Sequence, residues 1–254
     1  MIRMEYYIRR DPSLDFEKFH ALWQKTFKQT AKRLGETLAC SKMVAVLGGP
    51  HDLNAPMNLA RGGAMEPPYD LVLELWWETE DDLISVFAQP IALEELRNWV
   101  KSGAEWMHAQ ASPAWVAMEF PQVNPSPEDV MADEASPWKK IQFPLRHRAD
   151  WTESEVRQYW LQNHGPIIRR YAPHSGIVRY LQVHRLNHTL NESLQGALGF
   201  TVPVYLGHAE VWSGASVASP EQRRAASQAA VDDESKFIDF SASTLFVGVE
   251  EGLL

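Results

Sequence analysis

The residues of this chain best suited to chemistry begin with Asn163-His164-Gly165-Pro166. An imidazole titrates near neutral pH, so a histidine held at a helix end can take up or return a proton. Six of the nine histidines fall between His147 and His208. Tyr180, Gln182 and His184 alternate along one strand-like run and share a face. A tyrosine there can hydrogen-bond a phenol or enolate oxygen. His208 and Glu210 share a face of a later run. With His184 they would make a triad of two imidazoles and a carboxylate, a pattern that can hold a metal with open positions. His184 and His208 have neither His-x-His nor His-x3-His spacing between them, and the sequence favours a hydrogen-bonded network with no metal and no cofactor. Asp239 is a further titratable group with no stronger argument behind it. No Gly-x-Gly-x-x-Gly or phosphate loop occurs, which argues against nucleotide binding.

The elements that must carry these residues repeat. Tyr69-x4-Glu74-Leu75-Trp76 recurs 136 residues later as Tyr205-x4-Glu210-Val211-Trp212. One residue beyond that offset, Phe19-x3-Trp23 matches Val156-x3-Trp160. The periodicity predicts a strand over 2–9, a helix over 14–35, strands over 40–47 and 69–78, a helix over 80–108 broken near Pro90, and a strand over 114–120. The order β-α-β-β-α-β is a ferredoxin-like unit. A proline-rich linker is expected over 121–137. The order then restarts: strand 139–147, helix 152–171 with Thr152 and Glu155 as its capping box, strands 177–185 and 205–213, helix 220–235 and strand 243–250.

A single unit of this kind leaves one sheet face uncovered. The fold class expected is therefore α+β, with residues 1–120 and 138–254 as two ferredoxin-like units closing one barrel within the chain. The polar faces would point inward around a mostly apolar, aromatic-lined cavity. His164, Tyr180, His184, His208 and Glu210 are then the catalytic candidates. Arg146, Gln182, Trp212, Trp76, Glu74 and Tyr7 are the substrate-binding candidates, with Arg3, Arg9 and Arg146 as partners for buried carboxylates. A chain that holds both halves is expected to be a monomer or a peripherally contacting homodimer.

Composition narrows the function classes. A net charge of −9 argues against a nucleic-acid partner. No apolar run has the length of a membrane span. The single cysteine, Cys40, allows no intrachain disulfide and suits a reducing, cytoplasmic setting. Ten tryptophans supply large apolar area for a core and for a pocket.

The helix Tyr159-Trp160-x3-His164-Gly165-Pro166, followed by Arg179-Tyr180-x-Gln182, Glu210-Val211-Trp212 and the closing Leu245-Phe246-Val247, resembles the EthD family of the dimeric α/β-barrel superfamily. The resemblance spans roughly residues 138–250. In the first half Phe27-Lys28-Gln29 stands where His164-Gly165-Pro166 stands, so that copy has lost the motif. The resemblance implies a protein of the kind associated with ether degradation, or a dehydratase or decarboxylase of polyketide-derived aromatic rings. The wider superfamily also includes cofactor-independent monooxygenases, a lactone isomerase and haem enzymes, so fold alone does not choose the reaction. The expectation is a cofactor-independent enzyme acting on an aromatic small molecule by proton transfer, with His164 as base. A metal or haem oxidoreductase and a non-catalytic ligand carrier are the alternatives.

Overall fold

The computed structural model describes residues 1–49, 54–124 and 139–254. Eight described strands close into one antiparallel barrel in the order β1-β3-β2-β8-β5-β7-β6-β4. They are β1 (Ile2–Ile8), β2 (Lys42–Gly48), β3 (Leu71–Trp77), β4 (Ala114–Val123), β5 (Lys139–Leu145), β6 (Ile177–Arg185), β7 (Gly207–Ser213) and β8 (Phe246–Gly252). Each half contributes four adjacent strands, and the halves join through β2–β8 and β4–β6. Strand β4 runs to Val123, three residues into the expected linker; most of that linker lies outside the described residues.

The register repeats between the halves. Glu5 faces Glu74 and Trp115, as Gln142 faces Glu210 and Phe246. Lys42 faces Trp76, as Arg179 faces Trp212. Alternation along β1 explains why one strand serves two cores. Ile2, Met4, Tyr6 and Ile8 enter the core beneath the helices, while Arg3, Glu5 and Tyr7 enter the barrel.

The helices lie outside the barrel. In the first half α1 (Phe16–Leu22) passes through a π-turn, Trp23–Phe27, into α2 (Lys28–Thr37). The long loop after β2 carries α3 (Ala55–Ala60). Two helices follow β3, α4 (Glu80–Phe87) and α5 (Pro90–Ser102), the second starting at the proline expected to break them. In the second half α6 (Glu153–Tyr159) opens with the Thr152/Glu155 capping box and passes through a π-turn, Trp160–His164, into α7 (Gly165–Ser175). The remaining helices are α8 (Leu190–Leu198) and α9 (Pro220–Glu234). No helix among the described residues is long and apolar enough to cross a membrane.

The loop helices cross over. Asn191 Oδ1, in the first turn of α8, accepts the Val116 N–H at 2.8 Å; Asn54 Oδ1, at the N-cap of α3, accepts the Val247 N–H at 2.8 Å. Leu190, Leu194 and Leu198 of α8 thus pack in the first half's core. Met57 of α3 packs on the second half's core.

Candidate active site

A cavity of ≈ 300 Å³ lies between the second half's sheet and its helices, outside the barrel. Its walls are Ile141, Phe143, Ala209, Val211 and Leu245 from the sheet side, His164 and Ile168 from the π-turn and α7, and Ser227 and Ala230 from α9. Side-chain size sets this region apart from its counterpart in the first half. Ala209 faces Phe143 where Leu73 faces Tyr6, and Ser213 faces Lys139 where Trp77 faces Ile2. On the helix, Trp99 stands as far before the bridging residue Met107 as Ala230 stands before Ile238. Trp99 packs its ring edgewise on Tyr6 and Trp106, and Phe27 stacks on Trp106 at 4.5 Å. The first half therefore fills with aromatic rings the space that small residues leave open in the second.

His164 ends the π-turn and is buried. The extra residue of a π-turn commonly marks a functional position, because it re-aims a side chain within an otherwise regular helix. Gly165 lets this helix lie close to the sheet: a Cβ there would come within 3.2 Å of Gln182 Nε2. His164 Nδ1 donates to Asp233 Oδ2 at 2.9 Å. The other Asp233 oxygen accepts from Tyr159 at 2.7 Å and from Lys236 at 2.9 Å. Burial works against the Asp233 charge, but these hydrogen bonds from His164, Tyr159 and Lys236 hold its pKa well below the usual carboxylate range. A carboxylate fixed on Nδ1 sets the tautomer and leaves the Nε2 lone pair free to accept a proton. Asp233 was missed in the sequence; it sits on a helix of mostly exposed polar residues and carries no motif.

Tyr180 is the second polar group of the cavity. Trp160 Nε1–H donates to its oxygen at 3.1 Å, so the phenol keeps its own proton to donate. Burial raises the Tyr180 pKa and keeps the hydroxyl neutral. Arg61 reaches in from the first half, bonded through Nε to Glu234 at 2.8 Å and lying over the Phe143 ring.

The other candidates lie elsewhere, and the expected single constellation divides. Tyr180, Gln182 and His184 face the helices, not the barrel; Leu181 and Val183 take the inward positions of β6. The reason is local: Gln182 donates to the Trp160 carbonyl at 2.8 Å, and His184 stacks on Trp160 and bonds Gln182 at 3.2 Å. These polar groups find their partners on the helix side. Gln182 and His184 lie outside the cavity wall. Burial lowers the His184 pKa to about 3, leaving the ring neutral.

His208 and Glu210 point into the barrel, across the sheet from His164, so His184, His208 and Glu210 do not form the triad considered above. The barrel interior is densely packed among the described residues, with a pocket of only ≈ 30 Å³. Tyr7 stacks on Trp115, and Trp76 and Trp212 pack within the same cluster. Glu74 accepts from Lys140 and Gln142, both at 2.5 Å. Burial raises Glu5 to about 8 and raises Glu74 well above its usual value. Burial pushes Glu210 up too, but Arg3 and Lys140 hold it well below. Burial lowers His208 to about 4. Arg146 is tied at the barrel end to Glu66 and the Pro203 carbonyl, both at 2.7 Å. None of Arg146, Gln182, Trp212, Trp76, Glu74 and Tyr7, the expected substrate-binding set, lines the outer cavity. Asp239 caps a short 3-10 turn. Burial raises the Cys40 thiol to about 11, which suits a packing role.

No functionally curated protein matches the chain by sequence. Solved structures do align along it, among them the following three. A protein provisionally described as a monooxygenase, from Lactobacillus acidophilus, is 6% identical over 98% of this chain and 92% of its own, at TM-score 0.42. A chlorite dismutase, also provisionally described, is 9% identical over 98% and 94%, at TM-score 0.45. A DyP-type peroxidase from Streptomyces coelicolor is 13% identical over 98% and 89%, at TM-score 0.49. At such identities the chemistry of these neighbours does not transfer. A sequence match to the EthD domain is found instead over residues 148–241, the stretch that holds His164, Tyr180 and Asp233.

Proposed function

We propose that this protein is an enzyme that moves a proton on a small, mostly apolar, aromatic molecule held in the outer cavity of its second half. The observation that carries this reading is the buried Asp233–His164 pair, whose imidazole lines the same cavity as the proton-donating phenol of Tyr180. A cavity of ≈ 300 Å³ that sets polar groups, among them His164, Tyr180, Arg61, Arg223 and Glu234, between apolar walls is of the size and character that small ligands use. His164 Nε2 takes a proton from an acidic carbon of the substrate. The electron pair moves onto an adjacent carbonyl oxygen, which Tyr180 stabilises by hydrogen bonding. The imidazolium then returns the proton, either to a leaving hydroxyl, which departs as water, or to another carbon, which isomerises the substrate. Neither course consumes an oxidant or reductant.

Deuterium uptake from D2O into 2-tetralone, a two-ring ketone with acidic carbon-bound hydrogens, tests the proposal. The expected result is exchange faster than in buffer, lost by about 10²–10⁴-fold in His164→Ala. It should also be lost in Ala230→Trp, which fills the cavity without touching the histidine. Exchange no faster than in buffer, or unchanged in His164→Ala, counts against the enzyme. Binding of 2-tetralone with no exchange would assign the cavity to a carrier instead.

A further inference from the structure

The charges inside the barrel follow the pseudo-two-fold symmetry of the two halves. Arg3 pairs with Glu119 of its own half and Glu210 of the other. Lys140 pairs with Glu250 of its own half and Glu74 of the other. The Trp76 indole donates to Glu119 and the Trp212 indole to Glu250, both at 2.7 Å. Lys42 lies over Trp76 and Arg179 over Trp212, both at 4.6 Å. Arg3, Lys42, Lys140 and Arg179 thus face Glu74, Glu119, Glu210 and Glu250, and this set is balanced.

Two residues break the symmetry. Glu5 occupies the position of Gln142 in the other half, and His208 the position of Val72. Both are fully buried, and they meet: His208 Nε2 lies 3.7 Å from Glu5 Oε2 and 2.9 Å from Glu210 Oε1. One ligand atom each from Glu5, Glu74, His208 and Glu210 lies within 4.8 Å of all the others. Around this point Glu5 Oε2, Glu74 Oε2, Gln142 Oε1, His208 Nδ1 and the Tyr7 hydroxyl have no hydrogen-bond partner, though each side chain is wholly buried. Buried polar atoms left unpaired are costly, and oxygens of Glu5 and Glu74 left so within one cluster of donor atoms ask for a ligand.

We propose that Glu5, Glu74, His208 and Glu210 form a divalent-cation site that ties the two halves together inside the barrel. Each half gives two donors, from β1 and β3 on one side and from β7 on the other. Three carboxylates and one imidazole are a donor set for Mn²⁺, Fe²⁺ or Zn²⁺. The added Glu5 supplies charge that the balanced set does not neutralise. Arg3 Nη2 lies 2.9 Å from His208 Nε2 and retains Glu119 and Glu5 as partners when the imidazole serves the ion. A polar pocket of ≈ 30 Å³ adjoins the site, lined by Glu74, Glu119, Glu210 and Glu250 together with Arg3, Lys42, Lys140 and Arg179. The site stands apart from His164 and is a structural cross-link.

The test uses full-length protein stripped with a chelator and dialysed against MnCl2 or ZnCl2. Glu5→Gln and His208→Val each install the residue type that the other half carries at the matching position, so both variants are expected to fold; circular dichroism checks this. The wild type should retain about one equivalent of metal by mass spectrometry and melt several degrees higher with it. Each variant should bind at least tenfold more weakly, and His164→Ala should bind as the wild type does. No retention by the wild type, or retention undiminished in either folded variant, overturns the site and leaves these carboxylates holding a proton.

Discussion

At His164 one nitrogen is committed to Asp233 and the other is left for chemistry. The pair therefore predicts two graded defects. His164→Ala removes the base and should cost about 10²–10⁴ in turnover while thermal melting stays near wild type. Asp233→Asn keeps the ring but can fix the wrong tautomer; it should cost turnover by a similar factor while ligand affinity, measured by calorimetry, stays within a few-fold. Loss of activity only through unfolding would count against both roles. His184 shows the opposite use of an imidazole, as a packed neutral ring on Trp160. Its pKa falls from 6.5 to about 3 in the folded chain, through burial first and then the nearby Arg157. Between these values the unfolded chain binds the extra proton. Its contribution is therefore present above pH 6.5 and lost as pH falls toward 3, a loss on the order of 2–4 kcal/mol. His184→Phe should flatten the slope of melting temperature against pH between 6.5 and 4 relative to wild type; parallel slopes would refute the assignment.

Among the elements, the π-turns carry the most information. Trp23–Phe27 and Trp160–His164 occupy matching places and end on the two residues whose difference matters, Phe27 and His164. The same turn positions a carboxylate-bonded imidazole in one half and an aromatic packing group in the other. Phe27 stacks on Trp106 and is buried, so Phe27→Ala should destabilise by about 3–5 kcal/mol in denaturant titrations and leave turnover in the second half nearly unchanged. An activity loss as large as that of His164→Ala would mean that the halves are not separable in function. Helices α3 and α8 show why neither half is self-contained. Leu194 and Leu198 seal the first half's core, while Met57 and Arg61, at the matching positions of α3, wall the cavity of the second.

For the molecule as a whole, the closed strand order leaves no unpaired sheet edge for a second chain to complete. We expect a mass of one chain, 28.9 kDa, or a dimer that falls apart on dilution, in light scattering across a concentration series. A dimer that persists until unfolding would show that the barrel needs a partner after all. The charged interior predicts that the halves melt together, because Arg3–Glu210 and Lys140–Glu74 link one half to the other across the barrel. Breaking one member of such a buried pair is costly.

Much of this architecture was legible in the chain itself. Period-two runs such as Ile2 to Ile8, the Thr152 capping box, the break at Pro90 and the repeated Tyr-x4-Glu-x-Trp strands are local patterns set by backbone geometry. His164 stood out for the same reason, since its motif lies within one helix. Local patterns do not say which face of a strand is the inside. Tyr180, Gln182 and His184 are polar and alternate, so they read as barrel-lining, yet Tyr180 and Gln182 bond the indole and carbonyl of Trp160 on the helix side and His184 stacks on its ring. Nor does the chain reveal a cavity made by what is missing, at Ala209, Ser213 and Ala230, until the bulky counterparts in the other half are seen in place. Asp233 meets His164 from 69 residues away, and Glu5 meets His208 from the opposite half. Those meetings were decided by barrel closure and helix packing, which bring together residues that no sequence spacing relates.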